Sequence, residues 1–305
     1  MLDPVEAFRT LSTYRPTSTV GPVPTVIPTS PPIYQEAGDA GKRALWVVCI
    51  LMGLSSLAFY ALAWRTPVQK RILHILTAFI TTFAFISYYA MAIGDGVSYH
   101  SYTETHKSKL HHGPDYSQKY NREVYWARYV DWSLTTPLLL IDLALVAGLN
   151  GASILVAVIA DLIMILTGLF SAFAKDGAPT WGFYAIACIA YLTILWHLIY
   201  NGRAIAMSRD ARTGKFFTAI AGFTFVIWTI YPIIWGFADG SHHLSLDSEI
   251  IIYAILDILA KPVFGFWLLL THDRMPHTGF TLDGFWANGI SKEGTIRIGD
   301  EENGA

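Results

Sequence analysis

Apolar residues gather into seven long runs separated by polar links. The runs are about Ala44–Trp64, Ile72–Ile93, Val124–Ala147, Ala152–Phe173, Trp181–Tyr200, Phe216–Phe237 and Ile250–Leu270. Each approaches the roughly 20 residues that a helix needs to cross a bilayer. Short links make consecutive helices antiparallel neighbours, and an odd number of crossings puts the two termini on opposite sides. The third and seventh runs then point the same way. The predicted fold is an all-α membrane protein, a bundle of seven transmembrane helices. One link differs from the others: about Gly94–Arg122 is polar and rich in Tyr, His, Ser and Gly, and a short β-hairpin is expected there.

Composition agrees with the pattern. The 305 residues are 53% hydrophobic and 14% charged, with mean hydropathy +0.41, whereas a soluble domain carries about a quarter charged residues. A net charge of −2 offers no surface for nucleic acid. Residues 1–43 are rich in Pro, Thr and Ser, lack the apolar core of a signal peptide, and read as a disordered, partly extended tail. The helical domain is expected over 44–272, with a tail over 273–305. Basic residues number ten on one side of the bundle and nine on the other, so their distribution does not orient it. Cys49 and Cys188 both fall inside apolar runs and read as packing residues.

The candidate chemistry lies where charge interrupts the apolar runs. In the seventh, Asp257 and Lys261 are one helical turn apart on one face. Lys261 is ~15 Å from the end of its segment at 1.5 Å per residue, farther than its side chain can snorkel. An amine at that depth marks a functional site, and condensation with a carbonyl is the chemistry that suits it. In the third run, Arg128, Asp131 and Thr135 follow i, i+3, i+7 spacing, and Asp142 returns to nearly the same face ~16 Å along the axis. Carboxylates on one intramembrane stripe suit a proton pathway better than structural pairing. Arg128 one turn away favours the ionised form of Asp131, and the Leu and Ile neighbours of Asp142 favour its neutral form. An ionised acceptor and a neutral donor on one face make a directional relay.

These residues carry a resemblance. The third run, with Arg128, Asp131, Trp132, Thr135, Thr136 and Asp142, and the Leu-Asp-Ile-Leu-Ala-Lys of the seventh resemble the microbial (type 1) rhodopsins. Within them the chain is most similar to bacteriorhodopsin-like, fungal proton-pumping members, over about Ala44–His272. The resemblance implies all-trans retinal held as a protonated Schiff base on Lys261. It further implies Asp131 as proton acceptor, Asp257 as second counterion, Arg128 as a switchable arginine and Asp142 as cytoplasmic donor, with Tyr88 near the counterions. Trp132, Thr136, Leu139, Met164 and Gly168 match chromophore contacts. Trp228, Tyr231, Pro232 and Trp235 match the aromatic wall of the pocket, and Asp161 a structural carboxyl partner of Thr136.

The implied activity is a light-driven outward proton pump, a transporter and not an enzyme, working on protons in a membrane lipid setting. The implied location is the plasma membrane, with the N-terminus outside and the C-terminus cytoplasmic; the bundle also admits a homo-oligomer. A sensory rhodopsin with the same chromophore is the alternative, and Asp142 argues against it because a sensor needs no carboxyl donor. Two positions depart from the bacteriorhodopsin pattern. Glu249 fits one member of its outward release pair, but the other falls at Gly240, with Asp239 one residue earlier. Pro262 follows Lys261 directly and removes a donor to the carbonyl of Ile258, so a kink or a bound water is expected there. The loop histidines His100, His106, His111, His112, His242 and His243 read as solvated, His74 and His197 lie near span ends, and no metal site is expected.

Overall fold

The computed structural model describes residues 31–106, 116–209 and 211–273. The tail predicted for 1–30, the His111–His112 pair and the chain after Asp273 lie outside them. Backbone contacts divide the chain into two units, residues 1–33 with 103–119, and 34–102 with 120–305. The first is described only at 31–33, 103–106 and 116–119. The second holds every helix among the described residues.

Among the described residues, seven helices are long and apolar enough to cross a membrane. They are α1 (Asp39–Arg65), α2 (Ile72–Ala92), α3 (Trp126–Ala147), α4 (Gly151–Phe173), α5 (Ala178–Ser208), α6 (Ala211–Gly240) and α7 (Leu246–Asp273). Strands β1 (Ile33–Gln35), β2 (Ser98–His106) and β3 (Tyr116–Val124) form a sheet in the order β1-β3-β2. The expected strand pair between the second and third helices is therefore present, with β1 as an addition.

Residues 33–43, expected to belong to a disordered tail, instead form β1 and open α1. The reason is tertiary. The amides of Gly38 and Gly41 donate to Asp247 Oδ1 at 2.8 and 3.3 Å, and that of Ala37 donates to Glu123 Oε2 at 2.9 Å. No neighbour in sequence announces those partners. Helices α1, α5, α6 and α7 likewise run past their predicted apolar runs, because backbone hydrogen bonding continues after the side chains turn polar.

Local chemistry sets several ends. Gly148 closes α3 in the left-handed region at φ 78, and the amides of Gly148 and Leu149 both reach the Ala144 carbonyl at 2.9 Å. Asn150 caps α4 through Ser153 N at 2.9 Å, and Ser245 caps α7 through Ser248 N at 3.3 Å. Three π-helical stretches widen the later helices, at Trp196–Gly202, Gly236–Gly240 and Leu259–Val263. The last contains Lys261 and Pro262, and a π turn of this kind is frequent at functional sites.

Burial ranks the helices. The most apolar stretches of α3 and α7 are each 56% buried, those of α4 and α5 only 22%, so the helices that carry Asp131, Asp142, Asp257 and Lys261 are the most enclosed. The outward faces are apolar too: Leu57, Ile189 and Val226 are each more than 60% exposed. Water is a poor solvent for such faces and lipid a good one, and the protein is an integral membrane protein. Close approach of α7 to α1 and α2 depends on Gly265, where a Cβ would lie 2.4 Å from Thr77 Cγ2 and 2.8 Å from Phe59 Cζ. Gly265→Val is expected to cost about 1–3 kcal/mol by overpacking, seen as a lower thermal midpoint by circular dichroism in detergent. An unchanged midpoint would mean that the helices part freely there.

Candidate functional site

Lys261 is 3% exposed, on the inward face of α7. Its Nζ lies 2.6 Å from Asp131 Oδ2 on α3 and 3.0 Å from Asp257 Oδ1 one turn back on α7. Helical spacing alone brings Asp257 to the amine; packing α3 against α7 brings Asp131. Both carboxylates are 1% exposed. Two carboxylates facing one ammonium leave a net negative charge, which hydrogen bonding must spread. Tyr88 OH donates to Asp257 Oδ2 and Tyr231 OH to Asp257 Oδ1, both at 2.6 Å. Asp131 has fewer donors, and its Oδ1 is buried without a hydrogen-bond partner among the described residues. Thr135 turns its hydroxyl back to the Asp131 carbonyl at 2.9 Å.

Lys261 opens into a cavity lined by aromatic and apolar side chains. Every predicted chromophore contact lines it: Trp132, Thr136, Leu139, Met164, Gly168, Trp228, Tyr231, Pro232 and Trp235. Tyr129, Tyr184, Cys188, Tyr191 and Tyr253 line it as well and were missed. Tyr253 had a readable signal, since it is four residues before Asp257 and shares its face. Cys188 and Tyr184 had none, because α5 carries no charge that would single out one face. Gly168 leaves room at the wall, since a Cβ there would meet only Tyr129 Cε1, at 3.6 Å. Thr136 Oγ1 and Asp161 Oδ2 are 2.6 Å apart, the expected pairing, and tie α3 to α4.

One expected contact is replaced. Arg128, the cation expected to favour ionised Asp131, instead donates through Nη1 to Glu249 Oε1 at 2.7 Å, and its guanidinium lies 4.3 Å over the Tyr253 ring. The cation hydrogen-bonded to Asp131 is Lys261. Helix spacing placed Arg128 on the correct face but could not foresee Glu249, at the start of α7, as a stronger competitor.

A second arginine completes that end. Arg122, at the end of β3, is 2% exposed and donates through Nη2 to Glu249 Oε2 at 2.8 Å. Its Nε is 3.9 Å from Asp239 Oδ1, and Tyr129 OH is 3.4 Å from Asp239 Oδ2. Asp239 and Glu249 thus share one buried four-charge cluster through Arg122. In sequence, Arg122 looked like an ordinary loop charge. Asp142 differs in kind: it is 0% exposed, with Thr77 Oγ1 3.4 Å from its Oδ2 and a surround of Leu139, Leu140 and Leu143.

The histidine readings divide. His242 is stacked on Tyr102, with ring centres 3.9 Å apart, and burial pushes its imidazole below the usual histidine range. His100 and His242 both approach Asp176 Oδ1, at 3.6 and 3.7 Å, so these two are not solvated as expected. Among the described residues no group of three or more potential ligands is arranged to hold a metal.

Removing one partner of a buried ion pair costs about 3–5 kcal/mol. Arg122→Gln is expected to lose a large share of that range and lower the thermal midpoint in detergent more than Lys119→Gln does. Equal midpoints for the two variants would mean that Arg122 contributes no more than a surface charge.

Comparison with known proteins agrees with this geometry. The family model described as bacteriorhodopsin-like protein matches residues 40–275. Opsin-1 of Neurospora crassa is 48% identical over 284 residues, 92% of each chain. Opsin-like protein carO of Fusarium fujikuroi is 40% identical over 76% of this chain and 73% of its own length. Among solved structures, a light-driven proton pump from Leptosphaeria maculans is 49% identical with a TM-score of 0.78, covering 81% of this chain and all of that one. The light-driven proton pump rhodopsin of Coccomyxa subellipsoidea is 36% identical with a TM-score of 0.71, over 78% of this chain and all of that one. With Lys261 buried between two carboxylates and lining an aromatic cavity, the chain belongs to the bacteriorhodopsin-like family of microbial rhodopsins.

Proposed function

We propose that this protein is a light-driven outward proton pump with all-trans retinal attached to Lys261. The observation that carries the reading is the placement of Lys261 Nζ 2.6 Å from Asp131, with a second buried carboxyl, Asp142, farther along the same helix. The family implies a retinal Schiff base, and the residues fit one. The cavity is lined mainly by apolar and aromatic side chains, and Lys261 and Asp257 are among its lining residues. When bound, retinal supplies light absorption and an isomerisation that changes the surroundings of the proton on the Lys261 nitrogen.

The chain's own groups do the rest. Asp131 Oδ2 takes the proton from the Lys261 nitrogen across 2.6 Å. Asp257, held by the hydroxyls of Tyr88 and Tyr231, stays charged and keeps the site polar. Release runs past Arg128 towards the Glu249 and Asp239 cluster, whose arginines compensate its charge. Asp142 holds a proton in apolar surroundings until the Lys261 nitrogen has lost its own, then returns it from the opposite end. We orient the molecule with Glu249 outside and Asp142 towards the cytoplasm, which makes the net movement outward. A photosensor would use the same cavity and the same lysine. What favours pumping is Asp142, a donor that a sensor does not need, together with the proton-pump descriptions of the Leptosphaeria and Coccomyxa relatives.

Cells or vesicles carrying the chain and all-trans retinal are expected to acidify the outer medium on illumination, an effect abolished by protonophore. A visible absorption band without light-driven pH change would favour the sensor. Lys261→Ala is expected to abolish the band. Asp142→Asn is expected to leave the band intact and slow return of the proton to the Lys261 nitrogen on the order of 100-fold, measured by flash spectroscopy; an unchanged rate would remove Asp142 from the path.

A further inference from the structure

Arg128 is 3% exposed, yet a single hydrogen bond among the described residues holds its guanidinium. That bond runs from Nη1 to Glu249 Oε1, and Nε is buried without a partner among the described residues. A guanidinium carries five donors, so a buried one with so few bonds needs another source of attraction. Aromatic faces supply it. Arg128 Cζ lies 4.3 Å from the ring centre of Tyr253 and 5.6 Å from that of Tyr125. A cation over an aromatic face is drawn to the ring's electron density, most strongly where water is excluded. Both rings are buried.

Electrostatic attraction pulls the guanidinium the other way. Around Glu249 the charges balance, with Arg122 and Arg128 facing Glu249 and Asp239. Arg122 Nη2 already occupies Glu249 Oε2 at 2.8 Å, so two like charges crowd one carboxylate. Around Lys261, two carboxylates face one ammonium, and that centre is short of one positive charge. Asp131, one of the two, follows Arg128 by three residues on the same face of α3. Tyr253 stands between the two centres. Glu249, Tyr253, Asp257 and Lys261 follow one another at four-residue spacing along one face of α7. The Tyr253 ring also lines the cavity and meets Trp132 nearly edge-on, with ring centres 5.5 Å apart.

We propose that Tyr253 is a positioning residue which, with Tyr125, holds Arg128 on the Glu249 side while Asp131 accepts a proton. The proposal rests on the reading of Asp131 as acceptor of the proton on the Lys261 nitrogen. A guanidinium beside Asp131 would stabilise the carboxylate and weaken its attraction for that proton. Kept over Tyr253, the guanidinium leaves Lys261 as the cation hydrogen-bonded to Asp131. A ring face attracts a cation without fixing its orientation, so Arg128 can leave it without stranding a paired donor.

The test uses the full chain in lipid vesicles, with and without retinal. In retinal-free protein carrying isotope-labelled arginine, the Arg128 guanidinium protons are assigned by their loss in Arg128→Gln. Solid-state NMR is expected to find them shifted by the ring current of Tyr253. Tyr253→Leu is expected to remove that shift. Tyr253→Phe loses only the hydroxyl, which lies 3.4 Å from the Tyr231 carbonyl, and is expected to keep it. With retinal, Tyr253→Leu is expected to move the visible band to longer wavelength, because a cation drawn inward offsets the negative charge beside the Lys261 nitrogen. Transfer of the proton to Asp131 is expected to slow on the order of tenfold, and Tyr253→Phe to restore both band and rate. Native NMR shift, band and rate in Tyr253→Leu overturn the proposal. So does a Tyr253→Phe variant that behaves like Tyr253→Leu, since the hydroxyl and not the ring face would then matter. Should Tyr253→Leu fail to fold, unshifted Arg128 protons in the native chain are enough to overturn it. Light-driven acidification by native vesicles is scored separately: its absence overturns the pump reading, while the role of Tyr253 stands or falls on the NMR shift and the variants.

Discussion

The ammonium of Lys261, held between Asp131 and Asp257 in the most enclosed part of the bundle, is the interaction on which the rest of the structure depends. Burying a charge costs several kcal/mol even after relaxation, so the amine could not lie there alone. Two carboxylates compensate it, but together they exceed it by one charge. The hydroxyls of Tyr88 and Tyr231 then become necessary, because they stabilise Asp257 without adding a cation. That requirement draws α2 and α6 to the same centre. The aromatic cavity is the apolar counterpart, excluding water from one side of the amine.

Charge is distributed unevenly along the bundle. At the Glu249 end, two arginines and two carboxylates form a buried cluster in which both oxygens of Glu249 are engaged by guanidinium groups. At the other end, the fully buried Asp142 has a 3.4 Å contact with Thr77 and no arginine or lysine in an ion pair with it among the described residues. The two ends of the bundle therefore differ in how their buried carboxyl groups are partnered.

The seven crossings, the depth of Lys261 and the shared face of Arg128, Asp131, Thr135 and Asp142 could all be read from spacing. Each is a property of a single helix, and helical periodicity is local. The failures fell where a side chain had to choose among partners distant in sequence. Arg128 chose Glu249, 121 residues away, over Asp131, one turn away. Arg122 looked like a loop charge until β3 carried it inside, and residues 33–43 looked like tail until Asp247 and Glu123 met their amides.

By itself, then, the sequence determined which residues are stranded in an apolar medium and on which face of which helix they stand. Hydropathy and a 3.6-residue period are enough for that, because lipid forbids charge and irregular backbone alike. Only the tertiary structure decided how those residues pair. The pairing of Asp131 with Lys261 and the two guanidiniums on Glu249 each join elements far apart in the chain. Such contacts depend on distances of a few tenths of an ångström between separate elements, and no local pattern encodes them.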